Sequence, residues 1–328
     1  MKLISFVIPV YNSEKLIGEV VGRIRDTMEC LADQYAYECI LVNDGSRDRS
    51  DEACRQLCAH DPHLTFLNLS RNFGQSNAIM AGFHAAKGDY IISLDDDLQT
   101  PPEEAPKLIR AIEEHQYDVV FGRCVKKQAG YRNFGSRLNS LMTVLMIDKP
   151  PDLEISSYFI VRRYVVERVV QYTHPYPYIL GLFLGITRNI GNVDIRHMPR
   201  QEGSSNYTLR ALVKKWMDGL INFSVRPLRV ASMTGFTISF ISFLLLAALI
   251  VQKILHPHVQ MGWTSIVAVI LFLGGLQLVA LGLLGEYVGR TYICINGAPQ
   301  YIVKEKISGA REEDRKSTRL NSSHGYIS

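Results

Sequence analysis

The chain lacks the marks of several protein classes. Its six cysteines show no paired metal spacing. Cys54 and Cys58 lie four apart on a predicted helix, but no second pair exists to close a zinc site, and reduced thiols in a cytosolic domain are the expected state. Charge of one sign is also scarce: 36 Lys and Arg against 32 Asp and Glu leave +4. That is no broad field for a polyanion, and the basic residues sit around apolar segments, so nucleic acid is not an expected partner. Nor does a signal peptide precede the first strand, because segment 3–10 is too short and runs straight into Pro9-Val10-Tyr11-Asn12.

Apolar residues, by contrast, are abundant at 47%, and they concentrate late. Segment 231–252 is uncharged throughout and as a helix would measure about 33 Å, enough for a bilayer core of about 30 Å. A second uncharged stretch runs over 259–285. Two such lengths in tandem predict a transmembrane hairpin, with spans of about 231–252 and 262–285. Lys214, Lys215, Arg226 and Arg229 precede it and Arg290, Lys304 and Lys306 follow it, whereas the connection carries only Lys253, His256 and His258. The positive-inside rule then puts both termini on the cytoplasmic side of a multi-pass membrane protein. Before the hairpin, 209–223 reads as an amphipathic helix with Leu212, Trp216, Leu220 and Phe223 on one side, suited to the head-group plane. Gly274-Gly275 and the glycines of 282–289 suit close helix packing or contacts in a homo-oligomer.

The first 125 residues alternate strand and helix as a parallel α/β sheet does. Strands are expected at 3–10, 37–42, 65–69, 90–94 and 118–122, and helices at 14–31, 48–59 and 75–86. Ligands of such open sheets gather beyond the carboxyl ends of the strands. Asn12, Asp44, Arg71 and the run Asp95-Asp96-Asp97 all fall there. Continued strand geometry would set Asp95 and Asp97 on one side and Asp96 on the other. Two convergent carboxylates suit Mg²⁺ or Mn²⁺, with substrate phosphates completing the octahedron. The same acids also suit a turn that caps the following helix.

Together, Val7-Ile-Pro-Val-Tyr-Asn12, Asn43-Asp-Gly-Ser46, Arg71-Asn-Phe-Gly74 and Leu94-Asp-Asp-Asp-Leu-Gln99 with Pro101-Pro102-Glu103 resemble the ordered motifs of family-2 inverting glycosyltransferases. The hairpin and the exit Gly282-Leu-Leu-Gly-Glu-Tyr-Val-Gly-Arg290 extend the resemblance, to about residue 301, to the polyprenyl-phosphate branch, which includes dolichyl-phosphate mannose synthase and undecaprenyl-phosphate sugar transferases. The fold this implies is a Rossmann-like GT-A nucleotide-sugar-binding domain followed by the hairpin. The implied organisation is a catalytic domain over 1–205 on the cytoplasmic side of a bacterial inner membrane, an interfacial segment over 206–230, the hairpin over 231–290 and a cytoplasmic tail over 291–328 whose polar end reads as disordered.

Carried onto this chain, the resemblance implies a donor site, for a UDP-sugar, formed by Pro9, Tyr11, Asn12, Glu14, Asp44, Arg71, Asp95 and Asp96, with Asp44 reading the base. Asp95 and Asp97, supported by Gln99, match the DxD motif that meets the cation. Arg123, Arg137 and Arg200 match the arginines that hold the acceptor phosphate, and Arg200 in Arg200-Gln-Glu-Gly-Ser-Ser-Asn-Tyr207 joins Asp97 at the reacting centre. Guanidinium forks suit phosphate on chemical grounds as well.

The chain departs from the family where Ser156, Ser157, Tyr158 and Phe159 stand in a segment that often carries an acid or arginine, and where Ser13 replaces a common glutamate. A phosphate monoester is already largely dianionic at neutral pH, so such an acceptor tolerates the loss of a base; Asp152, Glu154 and Asp194 are the candidates if one is used. Competing readings are a processive polysaccharide synthase, for which the chain lacks a Gln-x-x-Arg-Trp-like motif, and a catalytically inactive sugar-nucleotide-binding membrane protein. A transporter is disfavoured, because two spans without intramembrane charge offer no path.

Overall fold

The computed structural model describes residues 1–124, 150, 152–198, 226–255 and 262–309. The chain divides into two compact units, Met1–Leu141 with Lys149–Asn206 and Pro299–Ser328, and Met142–Asp148 with Tyr207–Ala298. In the first unit β1 (Lys2–Val10), α1 (Ile17–Glu29), β2 (Tyr35–Asn43), α2 (Ser50–His60), β3 (Leu64–Leu69), α3 (Gln75–Ala85) and β4 (Tyr90–Ser93) alternate as the sequence predicts. A 3₁₀ turn (Pro102–Glu104), α4 (Ala105–Glu114) and β5 (Val119–Cys124) follow, then β6 (Phe159–Arg162), α5 (Arg163–Val169), α6 (Ile179–Ile186) and β7 (Ile190–Ile195).

The eight strands form one sheet in the order β7-β5-β6-β4-β1-β2-β3-β8, where β8 is Val303–Ser308. β1 pairs in parallel with β2 and β4, and β2 with β3, which is why β1 is an apolar run buried on both faces. The sheet is nevertheless mixed: β6 lies antiparallel between β4 and β5, and β8 lies antiparallel on β3. Neither strand is foreseen in the sequence reading. On one face α1 buries Ile17, Val20, Val21, Ile24 and Met28 at helical spacing. On the other face α3 comes so close that a Cβ at Gly82 would run into Val7. Phe83, Phe121, Phe159 and Phe183 form an aromatic cluster with centroids 5.4–6.5 Å apart.

β8 is an edge strand of the sequence Val-Lys-Glu-Lys-Ile-Ser. Ile307 packs towards the core, while Glu305 pairs with Arg55 of α2 and the lysines charge the rim, which discourages further strand pairing. Upstream, Gln300 is buried and donates to the carbonyls of Tyr172 and His174 at 3.1 and 2.9 Å. Five cysteine side chains are described, and all are free thiols.

The second unit contains two long helices, α7 (Arg226–Leu255) and α8 (Trp263–Ile295). Within α8, Phe272–Ile295 is long and apolar enough to cross a membrane, and among the described residues it is the one stretch that is. It overlaps the expected second span but runs past Glu286, whose carboxylate meets Arg290 one turn on, at 2.8 Å. Leu278 and Val279 are 71% and 70% exposed, an apolar surface that the described residues leave uncovered. The expected amphipathic helix over 209–223, His256, His258 and the tail from 310 lie outside the described residues.

Candidate active site

One edge of the sheet collects the polar loops. β1, β2, β3, β4, β5 and β7 run in one direction, so the turns after them leave at a common carboxyl edge, and antiparallel β6 enters there through Ser156 and Ser157. Pro9 fits β1 because it lies beyond Val7–Ser93, where the ladder with β4 has ended and no N–H is required.

The first three loops are hydrogen-bonded to one another. Asn12, at φ 56°, a left-handed conformation that asparagine tolerates, accepts the Arg47 amide at 2.8 Å, and its own amide meets Ser46 Oγ at 3.0 Å. Glu14 accepts the Arg49 amide at 2.9 Å, and Ser13 N donates to Ser50 Oγ at 2.8 Å. Asp44 is buried and its two oxygens take the amides of Phe73 and Gly74 at 2.7 and 2.8 Å. Burial pushes its carboxyl upward, against the pull of those two amides. Gly45 makes the contact between the loops possible: at φ 66° it lies so close that a Cβ would stand 2.5 Å from Asn72 N. Arg71 lies over the Phe73 ring, 4.7 Å from its centroid, and Tyr11 is exposed.

The three acids are sorted by their partners. β4 stops at Ser93, so the acids stand in the turn beyond it, where Leu98 takes φ 58°. Asp96 turns back to the β1 loop, accepting the Tyr11 amide at 3.0 Å and the Ser13 hydroxyl. Withdrawal from water and its two acidic neighbours push its carboxyl up to about 6, with those hydrogen bonds opposing. Asp95 accepts Gln75 Nε2 at 2.6 Å on Oδ1 and the Ser157 hydroxyl on Oδ2. Asp97 accepts the Gln99 amide at 3.1 Å. Among the described residues no three His, Cys, Asp or Glu side chains converge as a metal cage. Asp95 and Asp97 still fit Mg²⁺ or Mn²⁺, because those ions take one or two hard carboxylates and leave the other positions to phosphate and water. For Gln99 the structure shows backbone contacts: its carbonyl also receives the Met198 amide at 2.8 Å and meets His197 Nδ1 at 3.0 Å.

On the other half of the edge Arg123, next to last in β5, stands opposite Asp194 of β7 and donates Nε to its carboxylate at 2.6 Å. The guanidinium holds Asp194 below the usual carboxylate range, which suits it poorly to proton abstraction. Asp152 and Glu154 are exposed. Buried Glu104 meets Lys107 and Arg196 and so ties the end of β7 to the turn after the acids. Arg137 and Arg200 lie outside the described residues. The sequence reading missed Ser13, Gln75, Ser157 and Glu104 as partners of this edge. The positions of Ser157 and Glu104 follow from β6 and β7, which only the folded sheet reveals.

Residues 5–170 match the family described as glycosyl transferase family 2. The undecaprenyl-phosphate 4-deoxy-4-formamido-L-arabinose transferases of Yersinia pestis and Yersinia pseudotuberculosis are 35% identical to the chain over 324 residues, 96% of each protein. Among solved structures, glucosyl-3-phosphoglycerate synthase from Mycobacterium tuberculosis, in complex with Mn²⁺, UDP and phosphoglyceric acid, matches with a TM-score of 0.51. At 18% identity, covering 67% of this chain and 76% of that one, the likeness is one of fold, the GT-A α/β fold.

Proposed function

Because the chain belongs to glycosyl transferase family 2, we propose that it moves a sugar from a UDP-sugar to a polyprenyl phosphate, undecaprenyl phosphate in a bacterial envelope, with inversion at the anomeric carbon. The observation that carries the reading is the carboxyl edge itself, where Asp95 and Asp97 stand between the Asn12, Asp44 and Arg71 loops on one side and Arg123 on the other. The relatives, whose names carry undecaprenyl phosphate, support the acceptor, and their match extends over the helical unit as well.

The loops of Tyr11, Asn12, Glu14, Asp44 and Arg71 receive the nucleotide. Asp95 and Asp97 would hold Mg²⁺ or Mn²⁺, and the ion bound there would offset the charge of the departing diphosphate. Arg123, with Arg137 and Arg200, receives the acceptor phosphate. A phosphate oxygen attacks the anomeric carbon from the face opposite the diphosphate, and the bond to the diphosphate breaks with its electron pair going to oxygen. The acceptor needs no deprotonation at neutral pH, its second pKa being about 6. The engagement of Asp194 by Arg123 agrees with a site that contains no protein base.

Chain topology supports the hairpin. β8 follows α8 yet pairs with β3, which precedes α7, so the chain returns to the sheet after the helical unit. That return supports an even number of crossings, with α7 as the partner of α8. Arg226 and Arg229 before the pair, and Lys304 and Lys306 after it, support a cytoplasmic placement of that side. A single cysteine placed near residue 256 should react with an impermeant reagent from outside the cell, and one near residue 306 should not; the reverse would overturn the orientation.

The test of function is a UDP-sugar screen with the full chain in liposomes containing undecaprenyl phosphate and Mn²⁺. One glycosyl phospholipid is the expected product. Long glycan would point to the processive synthase, and UDP binding without transfer from any donor to the inactive one.

A further inference from the structure

β6 is the strand that the sequence conceals, and its register reaches the acid cluster. β4 and β6 pair antiparallel from Tyr90–Arg162 to Ser93–Phe159. The same register carried two residues past the ladder sets Ser157 directly across from Asp95, and their side chains meet there, the Ser157 hydroxyl on Asp95 Oδ2. From the opposite side Gln75, first residue of α3, reaches Asp95 Oδ1. We propose that Ser157, with Gln75, is a positioning residue that fixes the Asp95 carboxylate for the divalent cation; this rests on the reading of Asp95 and Asp97 as the cation's ligands.

Past the strand end two side-chain torsions set the direction of the Asp95 carboxylate. A hydrogen bond to each oxygen sets the plane of the carboxylate, while each oxygen has a further lone-pair direction. Both donors are neutral, so they orient the group without cancelling the charge that attracts a dication. A serine at 157 acts differently from an acid, which would repel Asp95 across the register. Ser13 does the corresponding work on Asp96, drawing it to the β1 loop. The two hydroxyls thus hold adjacent acids to different elements, Asp95 to the β6 entry and Asp96 to the β1 loop.

Partners that orient a metal ligand typically change metal affinity 10–100-fold when removed. In the full chain with UDP present, Mn²⁺ binding measured by the EPR signal of the free ion should weaken about tenfold or more in Ser157→Ala. Ser157→Thr, which keeps the hydroxyl, should restore it, and Ser157→Cys, a weaker donor of similar size, should fall between. Threonine as weak as alanine would overturn the proposal, since packing and not the hydrogen bond would then be at work. Asp97→Asn separates the two levels of argument. If it binds Mn²⁺ like the parent, the reading of the acids as ligands fails. If it loses Mn²⁺ while Ser157→Ala keeps it, the positioning role alone fails.

Discussion

The two halves of the carboxyl edge are built differently. On the β1–β4 half each functional loop follows its own parallel strand, and the loops bond to their neighbours: Asn12 to the Arg47 amide, Glu14 to that of Arg49, Asp44 to those of Phe73 and Gly74. On the β5–β7 half the groups come from distant parts of the chain, Arg123 beside Asp194 and Ser157 beside Asp95. The loops of the first half are thus held to one another, which suits the nucleotide proposed to bind there. The second half carries Arg123, which suits the acceptor phosphate proposed to bind there. Variants that act on one half and spare the other test this division.

The largest effect is expected where the halves meet. Asp97→Asn should abolish transfer, a loss of about 3 kcal/mol or more of transition-state stabilisation, while the protein stays folded and membrane-bound. Near-normal turnover with Mg²⁺ or Mn²⁺ would remove the assignment.

Gly45→Ala should break the donor half alone. The left-handed conformation costs a Cβ residue about 1–2 kcal/mol, and the forced contact with Asn72 N adds about 1–3 kcal/mol. The Asp44 clamp on Phe73 and Gly74 should open, lowering the melting temperature and weakening UDP, while acceptor KM at saturating donor stays near the parent's. A variant as stable as the parent would show that these loops are not held against each other.

Legibility in the sequence follows the same division. β1–β4 and their helices could be read because each unit is local: an apolar run, a turn with Asn12 or Gly45, an amphipathic helix. Their boundaries came within a few residues, as with 65–69 against Leu64–Leu69. Position 157 could not be read, since its meaning depends on a register with β4 and a contact with Asp95, 62 residues away in the chain. β8 was invisible for another reason. Val303–Ser308 is an edge strand whose charged residues resemble a tail, and only pairing with β3 makes it sheet. Asp96 looked like a third site acid, and what distinguishes it is a hydroxyl on another loop, Ser13.

Arg123→Ala should break the acceptor half alone. Loss of a charge-assisted hydrogen bond to phosphate is worth about 1.5–3 kcal/mol, or roughly 10- to 150-fold in acceptor KM or turnover. UDP and Mn²⁺ binding measured without acceptor should not change. Arg137→Ala should act in the same direction. Weakened UDP in Arg123→Ala would place this arginine with the donor and blur the division between the halves.

The smallest effects should come from Asp152→Asn, Glu154→Gln and Asp194→Asn. A phosphate acceptor reaches the site as a nucleophile, so no carboxylate has to take a proton from it. Asp152 and Glu154 are exposed, and Asp194 is paired with Arg123, which keeps its carboxylate a weak base. Asp194→Asn leaves a carbonyl oxygen that Arg123 Nε can still reach, so the guanidinium should keep its place. Each variant should therefore retain most of the parent's turnover in the liposome assay. Loss of a general base costs about 10²-fold or more. A drop of that size in any one of the three would refute the base-free mechanism and make an alcohol the acceptor to test. A fewfold rise in acceptor KM for Asp194→Asn, with kcat unchanged, would instead identify Asp194 as the residue that holds Arg123 in position.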